Sequence, residues 1–293
     1  MTGRERRPAD RLRDLLPYGV VTAIQRRRAE RERQQLLRDR RTRLDAAAVR
    51  TESAADDVRA WDYETAIALL VERGLVEQEV RDGSMPAASL ERCAAAVREH
   101  LPSDRPLVGL HVGNFVGVSL ASTAALLRDR HPDSVVVGID PDISHRGIVR
   151  PASYVLWLLR RFGLQDRVLV ATGYSLEATL GNDGIGSWDD LASPWEELAD
   201  GLASEHALPR LATVAPGRFD LALLDGNHDA EYLGRELDVV AGLLRSGGLL
   251  VLDDVDPDAW ADIADTFAAL FTGADGRFER IDADGRIGVA RRV

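Results

Sequence analysis

The sequence predicts an α/β protein, with a doubly wound, mostly parallel sheet, an antiparallel C-terminal hairpin and a helical N-terminal accessory region. Three observations carry this expectation. From Leu107 onward, apolar runs of strand length alternate with longer amphipathic segments, as parallel strands linked by crossover helices do. Three of those runs stop abruptly on carboxylates, at Asp140, at Asp225 and at Asp253-Asp254. Near the end of the chain, Asp284-Gly285 separates two short strand-like runs, the composition of a hairpin turn.

Taken in order, residues 1–50 form a basic arm. They read as helical but poorly amphipathic, with apolar stripes at Leu12, Leu15, Leu16 and at Val20, Val21, Ile24 separated by Pro17 and Gly19. Arg26 to Arg43 is mostly charge, which suits a solvated or oligomer-contacting helix or a basic arm for a membrane surface or protein partner. Helical segments follow around Tyr63–Gly74 and Ala87–Leu101, and Pro102-Ser-Asp-Arg-Pro106 marks a boundary. The expected organisation is an accessory region over 1–104 and a catalytic domain over 105–293. Strands are expected at 107–112, 134–140, 167–171, 218–225 and 247–253, and helices at 117–130, 149–163, 229–245 and 257–271. Phe278–Asp284 and Arg286–Arg291 complete the hairpin. Gly181 to Gly217, rich in Gly, Asp, Ser and Pro, reads as an insertion of the lid or substrate-binding kind, with room for a short helix of its own.

Composition narrows the function. A chain of 293 residues with 45% hydrophobic and 29% charged content is an ordinary globular protein with room for one large α/β domain. The net charge of −11 is unevenly spread: residues 1–44 hold fourteen Arg against six acidic side chains, a net of +8, so the rest carries −19. An acidic body argues against nucleic acid as a partner and suits a cation. Cys93 is alone, which excludes an internal disulfide and a cysteine-based zinc site. The N-terminus is charged without an apolar core, and no apolar run approaches the ~20 residues of a bilayer span. The expected location is cytoplasmic. Lysine is absent, so a base must come from histidine, carboxylate or tyrosine.

The chemistry-bearing residues lie in two strand–helix–strand units. In the second, Phe219-Asp-Leu-Ala-Leu-Leu-Asp-Gly-Asn-His-Asp229 leads through one amphipathic helix to Gly247-Gly-Leu-Leu-Val-Leu-Asp-Asp-Val255. Such a unit makes its strands parallel, with carboxyl ends at one sheet edge. Neighbouring strands lie roughly 4.8 Å apart, so Asp225, Asp253 and Asp254 can converge on one hard cation or polar substrate. The alternative is that Asp225 caps the following helix, Asp253 and Asp254 make structural hydrogen bonds and His228 caps or packs. In the first unit, Gly113 and Gly117 flank the turn leaving a strand, in a G-x-x-x-G spacing that departs from the dinucleotide fingerprint. Asp140 ends the next strand 27 residues after Gly113, where a carboxylate can accept ribose hydroxyls or cap a turn.

At these residues the chain resembles the class I S-adenosylmethionine-dependent methyltransferases, over roughly residues 105–293. His-Val-Gly-Asn-Phe-Val-Gly-Val-Ser (111–119) corresponds to their first motif, Gly-Ile-Asp-Pro-Asp (138–142) to their acidic second, and Arg167-Val-Leu-Val-Ala-Thr-Gly-Tyr-Ser-Leu-Glu177 to the third, beside adenine. The resemblance implies a seven-stranded Rossmann-like sheet. It also implies cofactor contacts from Gly113, Asn114, Phe115, Gly117, Ser119, Asp140, Gly173, Tyr174, Ser175 and Asp225. Two residues depart from the pattern: His111 stands where an acid is usual, and Tyr174 where Asp is frequent. His111, inside an apolar strand, reads as a core histidine, while His145-Arg146-Gly147 could face a ligand or form a surface loop.

Asp225-Gly-Asn-His228 with Asp253-Asp254 resembles the metal-dependent O-methyltransferases of small molecules, especially of macrolide sugars. By that resemblance Asp225, Asp253 and Asp254 bind Mg²⁺ and His228, with Asp225, is catalytic, the imidazole being the base. The implied function is O-methylation of a hydroxylated small molecule, a sugar or specialised metabolite, by a homo-oligomer. Two alternatives stay open: a metal-independent N- or O-methyltransferase, and a non-catalytic nucleotide-binding subunit whose arm recruits a partner or membrane.

Overall fold

The computed structural model describes residues 58–143, 145–148, 150–177, 205–272 and 276–293. Three helices, α1 (Tyr63–Glu72), α2 (Glu77–Asp82) and α3 (Ala87–His100), precede the first strand. The chain then alternates β1 (Val108–Val112), α4 (Val118–Arg130), β2 (Val135–Asp140), α5 (Ala152–Arg161) and β3 (Val168–Thr172). It continues through α6 (Ala207–Val214), β4 (Phe219–Leu224), α7 (Ala230–Leu243), β5 (Leu244–Leu252), α8 (Ala261–Thr272), β6 (Phe278–Asp284) and β7 (Ile287–Arg292). The basic arm 1–50 and residues 181–204 of the expected insertion lie outside the described residues. Within the insertion's remainder stands α6, a short helix of eight residues of the kind the sequence left room for.

The seven strands lie in the order β3-β2-β1-β4-β5-β7-β6. β1 to β5 are mutually parallel, and β7 runs antiparallel to β5 and to β6. The expected doubly wound sheet and C-terminal hairpin are therefore both present. Its central strands are buried on both faces, which is why they read as continuous apolar runs. Leu221, Leu223, Leu249 and Val251 enter one core with Ile67 and Leu70 of α1, Val97 of α3, Leu120 of α4 and Leu158 of α5. Ala222, Leu224, Leu250 and Leu252 enter the other with Leu208 of α6, Leu233 and Leu237 of α7 and Phe267 of α8. The helices ahead of β1 thus share a core with the sheet.

Local signals set the element ends. Asp62 and Asp229 accept from Thr65 and Tyr232 main-chain N–H groups at 2.8 Å and so start α1 and α7, as side-chain caps do. α5 begins at Ala152 after Pro151, whose fixed φ suits a helix start. Among the described residues no helix is long and apolar enough to cross a membrane.

The order of the strands matters most for function. The chain builds outward from β1 to β3, then returns to place β4 on the other side of β1. The connections leaving β1 and β4 diverge there and leave a crevice at their carboxyl ends, the usual ligand position in such sheets.

Candidate active site

Two turns meet at that crevice. The Gly113 N–H donates to the Ile139 carbonyl (2.9 Å) and the Asp225 N–H to the Val112 carbonyl (2.9 Å). These bonds carry the pairing of β1 one residue past each strand. Gly113 has φ +85°, and a Cβ there would stand 1.8 Å from the Asp225 carbonyl oxygen. Only glycine allows this approach. Gly117, at φ +94°, starts α4 from the left-handed region with no side-chain cap, so the first amides of that helix remain available to a ligand. Phe115 also lies at positive φ (45°), with its ring edge-on to His145 at 5.3 Å.

Asp140 is the keystone of this turn. Its Oδ2 accepts from the Asn114 and Phe115 N–H groups at 2.8 and 3.1 Å, and its Oδ1 from the Asp142 N–H at 2.7 Å. The capping role open in the sequence is therefore occupied. Burial raises the Asp140 carboxyl above its ordinary range. Asn114 contributes its main chain to this turn, while its side chain is buried against Gly138. His111 is fully buried and its imidazole is pushed down to about 3 by desolvation, which matches the core histidine expected. Ser119 is buried within α4.

The third-strand segment is docked differently from the turn. The Gly173 N–H donates to the Asp140 carbonyl (2.8 Å). Tyr174 and Ser175 are buried, and their carbonyls accept from the Ala207 and Leu208 N–H groups at the start of α6. The Ser175 hydroxyl lies 3.0 Å from Tyr232 OH, which also accepts from the Leu176 N–H. Ser175 is thus engaged with α7. Glu236, one turn further along α7, is buried beside Ser175, and desolvation pushes its carboxyl up to about 7.

The aspartates divide. Asp225, His228 and Asp254 each offer a ligand atom, and these atoms lie within 4.8 Å of one another. His228 Nε2 is 2.8 Å from Asp254 Oδ2, and its ring stacks on Trp260 at 4.7 Å. Asp254 has φ +58°, a conformation that turns its carboxylate away from the direction β5 would give it. Asp253 instead accepts both Nε and Nη2 of Arg286, at 2.6–2.9 Å. Asp225 and Asp254 thus gather with His228, while Arg286 bridges Asp253 and Asp254, at 2.6 and 3.1 Å. Burial, and next the neighbouring Asp253 charge, hold the Asp225 carboxyl well above the usual carboxylate range.

Comparison with known proteins agrees with this fold. Residues 110–255 match the family model described as a methyltransferase domain. The chain is a class I S-adenosylmethionine-dependent methyltransferase. The methyltransferase shares its fold with the SAH-bound PaMTH1 of Podospora anserina, with a TM-score of 0.51 and 15% identity, covering 85% of this chain and 96% of that one. It is similar also to an O-methyltransferase from Bacillus cereus in complex with SAH, with a TM-score of 0.50 and 15% identity over 82% and 96% of the two chains. TomG from Streptomyces achromogenes, an O-methyltransferase of tomaymycin synthesis, is 18% identical over 84% and 96%, with a TM-score of 0.49. No curated protein matches the sequence.

Three residues of the methyltransferase site had escaped sequence reasoning: Arg286, Trp260 and Glu236. Arg286 adjoins the predicted Asp284-Gly285 turn, and the sheet order that puts this turn beside Asp253 could not be read from spacing. Glu236 falls on the apolar side of α7 with Leu233 and Leu237, so the period-3.6 pattern did carry a signal for it.

Proposed function

We propose that this methyltransferase transfers a methyl group to a hydroxyl oxygen of a small molecule, of the sugar or specialised-metabolite class, with His228 as the base. The supporting observation is the placement of His228. Asp254 at 2.8 Å and the Trp260 ring fix the imidazole beside Asp225, at the crevice between β1 and β4.

The cofactor fits the opposite wall. The uncapped start of α4, the Gly113 turn and the half-buried Asp140 carboxylate provide main-chain donors and an acceptor for its amino-acid and ribose parts. Gly173, Tyr174 and Ser175 would border the adenine through their main chain. When bound, S-adenosylmethionine supplies the electrophilic methyl, so the chain must present an electron-rich oxygen in line with it. The His228 imidazole, placed by Asp254, is the group that would take the hydroxyl proton. The part of the chain's own residues would be to hold the acceptor hydroxyl in line with that methyl and to keep its proton on His228. A divalent cation, Mg²⁺ by the sequence expectation, fits the corner of Asp225 and Asp254, where oxygen donors gather. There it would lower the pKa of the acceptor hydroxyl. Asp253 stands outside that fit because it is the more fully paired, with three Arg286 contacts of 2.6–2.9 Å against the single one of 3.1 Å to Asp254.

The test is a labelled-methyl transfer assay over hydroxylated and amine acceptors, with and without EDTA. Transfer to hydroxylated acceptors, lost with EDTA and restored by Mg²⁺, is the expected result. Transfer only to amines would refute the hydroxyl reading, and full activity in EDTA would refute the cation.

A further inference from the structure

Arg286 is the charged residue at the carboxyl edge for which the chemistry above has no use. β7 lies antiparallel beside β5, so the β6–β7 turn arrives where β5 ends. The Arg286 carbonyl accepts from the Val255 N–H at 2.9 Å, which fixes the turn against the segment that follows Asp254. Its guanidinium then closes on Asp253: Nε lies 2.9 Å from each carboxylate oxygen and Nη2 2.6 Å from Oδ2. Nε is also 3.1 Å from Asp254 Oδ1. Asp253 is 2% exposed, so no solvent competes for it.

We infer that Arg286 is a built-in counter-ion that takes Asp253 out of the cation-binding set and thereby sets how weakly the site holds a divalent cation. The inference rests on the cation part of the reading above. Its physical basis is that a guanidinium fork matches a carboxylate in shape and charge. A metal ion would have to break those bonds to recruit Asp253, and would do so against the repulsion of the guanidinium charge. The ordinary alternative makes Arg286 an outer support that orients Asp253 as a ligand. Loss of such a support lowers metal affinity about 10–100-fold. The two roles predict opposite signs.

Calorimetric titration of the full chain with MgCl2 and MnCl2 separates them. Arg286→Gln frees a carboxylate and removes a positive charge, so cation affinity should rise about tenfold or more. Arg286→Lys keeps the charge and should stay within about threefold of the unmodified protein. The double variant Arg286→Gln/Asp253→Asn removes the ion pair together, with no net change of charge, and takes away no ligand under this inference, so it too should stay within about threefold. A fall in affinity for Arg286→Gln, an unchanged affinity, or a tenfold loss for the double variant would overturn the inference. The last arm decides the matter even if Arg286→Gln does not fold. If the unmodified protein and all variants bind neither cation while S-adenosylmethionine still binds, the inference falls together with the cation part of the proposed function, and methyl transfer stands.

Discussion

Replacing Gly113 by alanine tests how the cofactor turn and the catalytic corner are joined. The new Cβ would lie 1.8 Å from the Asp225 carbonyl oxygen, 2.4 Å from its carbon and 2.8 Å from Gly226 Cα. All three are backbone atoms, so no side chain can swing aside, and β1 and β4 must separate at their carboxyl ends. Holding a non-glycine residue at φ +85° costs about 1–2 kcal/mol, and forced overpacking adds about 1–3 kcal/mol. The sum, about 2–5 kcal/mol, corresponds to a Tm lower by roughly 4–20 °C for a chain of this size. The displaced main chain carries Asp225, so activity and S-adenosylmethionine affinity should fall together in whatever fraction remains folded. Gly217→Ala is the internal control, since Gly217 also has positive φ (62°) but no atom within 4 Å of the added Cβ. It should lose only the conformational part, about 1–2 kcal/mol. Thermal unfolding of the two variants, followed by calorimetry with S-adenosylmethionine, checks this. Equal Tm losses would refute the claim that contact between the two turns, rather than φ alone, demands glycine at 113.

Two further outcomes follow from buried carboxylates. Burial pushes Glu236 from 4.5 up to about 7, so between these values the folded chain keeps a proton that the unfolded chain has released. Stability is then lost as pH rises through that window, by at most about 3 kcal/mol. Glu236→Gln should therefore match the unmodified protein in urea unfolding at pH 5 and exceed it at pH 8, and a constant difference between the two pH values would contradict the assignment. Asp140→Ala removes an acceptor from three N–H groups as well as the expected ribose partner. Affinity for S-adenosylmethionine should fall about 10–150-fold with some loss of stability, and unchanged affinity by calorimetry would remove Asp140 from the site.

The parallel sheet was legible because every central strand had to be apolar on both faces, and because carboxylates marked where each strand stopped. Asp140, Asp225 and Asp254 were placed at one edge by that reasoning alone. What periodicity cannot see is the direction of a side chain after the strand ends. Asp253 and Asp254 are adjacent in sequence and both reach Arg286, but Asp254, at a left-handed φ, also reaches His228. Arg286 lies 33 residues from Asp253 in sequence, and only the antiparallel return of β7 brings it there. Ser175 contacts Tyr232 because α6 and α7 dock on the third-strand segment, a packing no local pattern shows. In each case a tertiary contact decided what local pattern left open.

The most direct test of the account is the split between turnover and cofactor affinity in His228→Ala. With the acceptor identified in the labelled-methyl assay, kcat should fall about 10²–10⁴-fold, the range of a lost general base. The Kd for S-adenosylmethionine should stay within about twofold, since the proposed role gives the imidazole, held by Asp254 and Trp260, no part in cofactor binding. An unchanged kcat, or a Kd that weakens as much as kcat falls, would contradict the assignment of His228 as the base.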